Sequence, residues 1–412
     1  MGVQTGKGRV KRVQVKVNLK EQASKMKSTA KSRKGSAGRI VGRIFISIGL
    51  ILVLLIAMIY SLAYAVANGP SSTMRDTLVN MAMQASATKW IPGLVLSSDK
   101  VDAILASAKA SNEEIIDIGG KTDGVQRVRT DSEGQHIEPV TTEKHQENTP
   151  EPEVDWSKAI DGIIFKVVNA PHCRAYVAII QDPTRVYTAT SSDFKSNQPG
   201  IRFWDLAERD KVTLMINAGE YPDNGGGGNG SIPMGITYSQ GNCVWDDGLT
   251  RTFIGFDKNN QMILREGLTR KEADALGIRD GVCFQRNNIL IQQTGDTISV
   301  KRRGDTAVSQ RTAIGQREDG AIVMIVTDGR TGASPGASYN DMIDLMLRFG
   351  AVNAGMLDGG SSAIMYYRDY YNLYNYDMSK LDTYQKMGLV NIYKAFTTPR
   401  RIPTYFAVGG AQ

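Results

Sequence analysis

The chain is poor in the residues that many hydrolases depend on. Its 412 positions hold three histidines and three cysteines. His136 and His145 fall in a polar stretch, leaving His172 as the one histidine of the later, more apolar part. A zinc site takes three or four His, Cys or carboxylate ligands, and neither a CxxC nor an HExxH spacing occurs. No histidine lies downstream of a GxSxG spacing, which excludes a serine-hydrolase triad of that kind. The run GGGGNG at 225–230 is not followed by GK[ST] and so is no P-loop. It reads as a mobile surface loop, with a phosphate cradle of backbone N–H groups as the minority reading. Cys173, Cys243 and Cys283 allow one disulfide with a spare thiol, or none, and exclude a disulfide-stapled scaffold. Chemistry must therefore rest on carboxylates, arginines, amides and backbone.

Acidic residues are scarce at one end only. Residues 1–43 contain Lys7, Arg9, Lys11, Arg12, Lys16, Lys20, Lys25, Lys27, Lys31, Arg33, Lys34, Arg39 and Arg43 against Glu21 alone, and the stretch 44–412 is slightly acidic. The net charge of +7 thus describes a tail and not a fold, and no nucleic-acid partner is expected. The next segment, 45–67, reads FISIGLILVLLIAMIYSLAYAVA without a charge. About 20 such residues span a bilayer core of ~30 Å. The basic flank places the N-terminus in the cytoplasm and the remainder outside, as a single-pass plasma-membrane protein. A cleaved signal peptide ending at Ala65-Val66-Ala67 is the rival, but its apolar region runs about 7–15 residues and this run is longer.

The chain divides into a basic cytoplasmic tail (1–43), a transmembrane helix (44–67), a helical stalk broken at Pro92-Gly93 (68–118), a linker (119–154) and a folded domain (155–412). The linker composition, GGKTDGVQRVRTDSEGQHIEPVTTEKHQENTPEPE, cannot bury enough apolar surface to offset its ordering entropy and predicts disorder. Within the domain, 162–169, 176–181, 212–217, 252–257, 261–265, 289–293, 312–316 and 321–327 read as strands. Asn259-Asn260 and Asp319-Gly320 suit hairpin turns. Thr269 with Glu272, and Ser338 with Asp341, form capping boxes ahead of two helices. The second helix carries Met342, Leu345, Met346 and Phe349 on one stripe. The expected fold class is α+β: a β-dominated mixed sheet with a few helices.

Polar residues collect at three strand ends. In VTLMINAGEY (212–221) an apolar strand ends in Asn217, Ala218, Gly219 and Glu220. RTAIG (311–315) leads through a hairpin to VMIVTDGR (323–330), putting Arg311 and Asp328 at strand ends, with Arg311 suited to clamp phosphate. GMLDGGSS (355–362) sets Asp358 before Gly359 and Gly360, whose backbone admits close ligand approach, and before Ser361. Each has a plainer reading as a turn, cap or surface cation. Six tyrosines, Tyr366, Tyr367, Tyr370, Tyr371, Tyr374 and Tyr376, read as the cover of a partly buried excursion, with a sugar-stacking wall as the rival.

In this order NAGEY, RTAIG…DGR and DMIDLMLRFGAVNAGMLDGGSSAIMYY resemble the phosphodiester glycosidase family. The resemblance covers about 160–410 and includes the closing RRIPTYFAV, similar to the family's final strand. After the glycine of the first block the family usually carries an aromatic pair, where this chain has Glu220-Tyr221. The resemblance implies hydrolysis between a sugar anomeric carbon and a phosphate oxygen of a glycosyl phosphodiester, in a bacterial wall polymer or exopolysaccharide. Asp358 and Asp328, or one of them with Glu220, would supply carboxylates; Arg311 would hold phosphate; Asn217, Gly359, Gly360 and Ser361 would contact substrate. No cofactor is expected, with a divalent cation near the aspartates left open. The alternatives are a wall-polysaccharide or teichoic-acid binding module without turnover, an exopolysaccharide assembly role, and a phosphodiesterase cutting P–O.

Overall fold

The structure, a computed structural model, describes residues 19–84, 88–109, 111–117, 125–130, 136–137, 154–194, 198–224, 227–304, 307–331, 334–393 and 397–410. The chain forms two compact units, 1–69 and 70–412. In the first, the helix Leu19–Asn68 contains Val41–Asn68, a 28-residue stretch long and apolar enough to cross a membrane.

In the second unit, helices Ser72–Gln84 and Ser98–Lys109 flank a short turn at Pro92–Leu94, where the sequence places its Pro-Gly break. The strand Ser111–Asp117 comes next, inside the stretch read as stalk. Val125–Thr130 and His136–Ile137 are also strands, inside the stretch read as linker; the rest of 118–153 lies outside the described residues. Their order comes from backbone pairing: Ser111–Asp117 joins Thr297–Arg303, and Val125–Thr130 adds to its free edge. A composition argument about buried side chains does not register such a ladder.

The domain is β-dominated, as the sequence predicts, with three antiparallel sheets. The ten-stranded sheet has at its centre Ala351–Met356, Thr312–Arg317, Ile322–Thr327 and Cys173–Ile180, side by side. Ile322–Thr327 is buried at every position, so its Val/Ile run is that of a strand covered on both faces. Each fully buried aliphatic side chain contributes about 1.5–3 kcal/mol. Helix Tyr339–Arg348 lies against this sheet, burying Met342, Ile343, Leu345 and Met346. Both capping boxes form: Ser338 with Asp341 here, and Thr269 with Glu272 on Arg270–Leu276. Both hairpins form as well, with Asn260 and Gly320 at positive φ.

A four-stranded sheet orders Met365–Tyr367, Leu214–Asn217, Thr404–Val408 and Val186–Thr190. A five-stranded sheet contains Thr252–Asp257 and Ile278–Phe284. The tyrosine cluster is mainly packing. The Phe165 ring lies 5.6, 5.0 and 6.1 Å from those of Tyr367, Tyr370 and Tyr374, and Tyr370 and Tyr371 are buried.

The topology sets the site. Thr312–Arg317 pairs antiparallel with both Ile322–Thr327 and Ala351–Met356. Those two strands therefore run the same way and end at one sheet edge, where Thr312–Arg317 begins. Arg311, Asp328 and Asp358 all stand at that edge.

Candidate active site

Asp358 comes two residues after the strand Ala351–Met356, and its neighbours hold it from three sides. Its N–H donates to the Ala218 carbonyl (3.1 Å), just beyond the strand Leu214–Asn217. The Asn217 amide donates to the Asp358 carbonyl (2.6 Å) while its oxygen accepts from the Thr312 hydroxyl (2.7 Å) and the Ile364 N–H (3.1 Å). Asn217 is 1% exposed and committed to these bonds. It pins the aspartate loop to two sheets, a positioning role in place of the substrate contact expected of it.

The loop then turns tightly. The Gly359 N–H donates to Asp358 Oδ1 (2.9 Å), and the Gly360 N–H donates to the Gln310 carbonyl (2.8 Å). A Cβ on Gly359 would lie 2.7 Å from the Gln310 oxygen, and Gly360 has φ +61°, so neither position accepts a side chain without strain. Gly360 faces the Arg330 guanidinium, which lies 3.6 Å from where its Cβ would be. Arg330 itself is at φ +57°, exposed, and touched by no carboxylate among the described residues. Desolvation holds its pKa below the ordinary arginine value.

Around the carboxylate stand Ser362, Glu220, Tyr221 and Arg400. Burial pushes Asp358 up to about 7; bonds from Ser362 and Gly359 and the Arg400 charge oppose the rise, and the Glu220 charge adds to it. Glu220 is raised by burial as well, against the pull of Arg251, with which it is ion-paired. Ser362 and Tyr221 hydroxyls are 3.1 Å apart, and burial drives the tyrosine well above its usual range. The Arg400 guanidinium lies 5.1 Å from the Tyr221 ring centre, reaches the Ser361 hydroxyl (3.4 Å) and pairs with Asp223 (2.5 Å).

The other two predicted residues turn away. Asp328 is 1% exposed; its oxygens accept from the Tyr176 hydroxyl (2.9 Å) and the Ile392 N–H (2.7 Å). Burial raises it to about 6, against those two bonds and the Arg174 charge. Arg311 donates through Nε and Nη2 to the carbonyls of Ala337 and Ala307 (both 3.2 Å), so the guanidinium ties loops together, while Arg330 and Arg400 are the guanidinium groups that reach the Asp358 loop. The glycine run packs too: Gly230, at φ +66°, sits against the Arg401 backbone, and the Gly228 carbonyl accepts from Arg400 (3.0 Å). Gly225 and Gly226 lie outside the described residues.

Such a set has two raised carboxyls, one of them ion-paired, two guanidinium groups and a glycine turn, and it suits an anionic carbohydrate linkage. Residues 210–408 match the model of the phosphodiester glycosidase family. This stretch is a phosphodiester glycosidase domain. The chain also resembles the uncharacterized SPbeta prophage-derived protein YomE of Bacillus subtilis (strain 168), 28% identical over 192 residues. That alignment takes in 44% of this chain and 27% of the relative, so the chain spans about a quarter of that protein's length. Among solved structures, the zebrafish N-acetylglucosamine-1-phosphodiester alpha-N-acetylglucosaminidase catalytic domain, auto-inhibited by its pro-peptide, aligns at 15% identity with a TM-score of 0.44. It covers 60% of this chain and 82% of that one. A hypothetical protein from Synechocystis aligns at 15% identity and TM-score 0.38, covering 60% and 62%.

Sequence reasoning missed Arg330, Arg400, Tyr221, Ser362 and Arg251, although DGR, the closing RR and the EY pair stood in view. Among the described residues, no group of three or more His, Cys, Asp or Glu is arranged to hold a metal ion. Two surface depressions, of about 330 and 360 Å³, are lined by none of the residues around Asp358.

Proposed function

We propose that this chain hydrolyses the bond between an anomeric carbon and a phosphate oxygen of a glycosyl phosphodiester, at the outer face of a plasma membrane that Val41–Asn68 crosses. The observation that carries the reading is Asp358: a carboxyl raised to about 7, fixed by Gly359 and Ser362, beside Glu220 and Arg400. Arg330 and Arg400 hold the phosphate, and the Gly359–Gly360 turn lets it approach the backbone. A phosphate oxygen leaves with little protonation, so the demand falls on the sugar side, where an oxocarbenium-like centre develops. Glu220, ion-paired with Arg251, stabilises that centre. Asp358 takes a proton from the water that bonds to C1 as the C1–O bond to phosphate breaks; a base with a pKa near the working pH is suited to this task. The products are a free sugar and a phosphomonoester. The substrate is a wall polymer or exopolysaccharide bearing glycosyl phosphate units.

The test is release of free N-acetylglucosamine from an N-acetylglucosamine-1-phosphodiester model compound, run in ¹⁸O-water. The expected label is in the sugar. Label in the phosphate would show P–O cleavage, and absence of release would point to a binding module.

A further inference from the structure

A second feature of the domain faces solvent beyond the catalytic loop. The depression of about 330 Å³ is lined by Trp204, Glu208, Lys211, Tyr366, Arg368 and Met387, among others. Three of its polar groups have no partner among the described residues. Neither the Lys211 ammonium nor the Glu208 carboxylate has an ion-pair or hydrogen-bond partner among the described residues, and both residues are exposed. Lys211 is held at φ +52°, a conformation that costs a lysine energy. Arg368 donates through Nε and Nη2 to the Val212 carbonyl and through Nη2 to the Lys211 carbonyl, and it also engages the Tyr366 hydroxyl, so its charge is fixed at the border of the depression. The indole N–H of Trp204 likewise meets no protein acceptor among the described residues.

A line of aromatic side chains joins this depression to Asp358. The Tyr393 hydroxyl donates to the carbonyl of Ser361, in the catalytic loop (2.5 Å). Burial pushes that phenol up to about 12, against the pull of Arg400 and Arg202, and Tyr393 packs with Trp204 and Tyr384 against one hydrophobic cluster. The Tyr384 ring stacks on Trp204 at 5.7 Å and 15°, and the Arg202 guanidinium lies 5.3 Å from the Trp204 ring. Guanidinium groups interleaved with aromatic rings suit a ligand that alternates anionic groups with sugar faces.

We propose that the depression bordered by Trp204, Lys211 and Arg368 is a distal subsite, binding a phosphate-bearing unit of the same glycan whose scissile linkage lies at Asp358. It rests on the hydrolase reading and makes the substrate an oligomer of glycosyl phosphate units, gripped at two points. Lys211 pairs with the remote phosphate beside the fixed Arg368 charge, and Trp204 donates to the adjoining sugar. Glu208 selects against units that carry a carboxylate.

The test uses the full chain in detergent, with Asp358→Asn to stop turnover. Affinities are measured by calorimetry for a synthetic tetramer of N-acetylglucosamine-1-phosphate units and for a single phosphodiester unit. The tetramer is expected to bind at least tenfold more tightly. Lys211→Asn, which tolerates positive φ, should remove most of that advantage and leave the single-unit affinity unchanged; Glu208→Gln should enlarge it. Trp204→Phe keeps the stacking and should lose a smaller part. An equal affinity for both ligands, or an advantage that survives Lys211→Asn, overturns the proposal. The two readings fail separately. Tetramer preference lost in Lys211→Asn, with no sugar released by the parent chain, keeps the subsite and removes the hydrolase. Sugar release without a length preference does the reverse.

Discussion

Two aspartates leave strands that run the same way at one edge of the ten-stranded sheet, and a glycine comes directly after each. Their surroundings diverge within one residue. Asp328 meets a tyrosine hydroxyl and a backbone N–H, which satisfy both oxygens in a buried position. Asp358 is bonded on one side by its own loop and on the other approaches Glu220 and Arg400. Burial raises both, to about 6 and about 7. A raised pKa therefore does not mark a catalytic group by itself; the difference lies in the charged groups nearby, Glu220 and Arg400 for Asp358 and Arg174 for Asp328. Asp328 serves the fold by anchoring the segment at Ile392, one residue before Tyr393, whose hydroxyl holds the Ser361 carbonyl. On the proposed reading, Asp358 is the one that acts.

The comparison breaks most directly on substitution. Asp358→Asn should lower turnover by about 10²–10⁴-fold, the range for loss of a general base, with the fold intact. Asp328→Ala should do the opposite: sugar release within a few-fold of the parent, and a loss of about 1–3 kcal/mol for each of the two donors left unpaired. Denaturant unfolding beside a sugar-release assay reads both. Equal losses of activity in the two variants would erase the distinction.

How much of this was legible depends on how local each cue is. Capping boxes and tight turns are settled by four neighbouring residues, and Ser338–Asp341 and Thr269–Glu272 form as read. Ile278–Phe284 escaped because Asp280-Gly281 resembles a turn. In the structure Asp280 is buried and accepts the N–H groups of Thr188 and Gln240, while Gly281 leaves room for the Phe253 ring. Those partners come from distant chain. Composition marked Asp358, since an acid before two glycines and two serines is scarce. Nothing local separates Arg311 from Arg330. One guanidinium finds two carbonyls, and the other finds none of the carboxylates, which only the fold decides. Asn217 was noticed as a polar residue at a strand end, but its full set of bonds needed Thr312 and Ile364 in place.

Those two arginines sharpen the comparison at a smaller scale. Arg330→Lys loses the planar fork and should raise KM about tenfold with kcat little changed. Arg311→Lys should leave KM alone and lower stability, because its guanidinium bonds to Ala307 and Ala337 are structural. A KM increase for Arg311→Lys matching that of Arg330→Lys would return the clamp to Arg311.

The smallest effect is on pH dependence, and it separates the aspartates without disturbing the site. Acting as a base, Asp358 must be ionised, so kcat/KM should fall as pH drops through about 7. Asp328→Asn keeps an acceptor for Ile392 and should leave that limb in place, since Asp328 is not among the groups that act on Asp358. Stability should respond instead. An acid whose folded pKa exceeds its ordinary value binds its proton more tightly when folded; the stability this gives is whole below pH 3.8 and gone above the folded pKa. The parent should therefore lose stability from pH 3.8 to about 7, with the Asp328 share ending near 6. Asp328→Asn should flatten the lower part of that decline and leave the part approaching 7. If the variant instead moved the kcat/KM limb, Asp328 would be titrating within the reaction, and the division of labour between the two strand ends would fail.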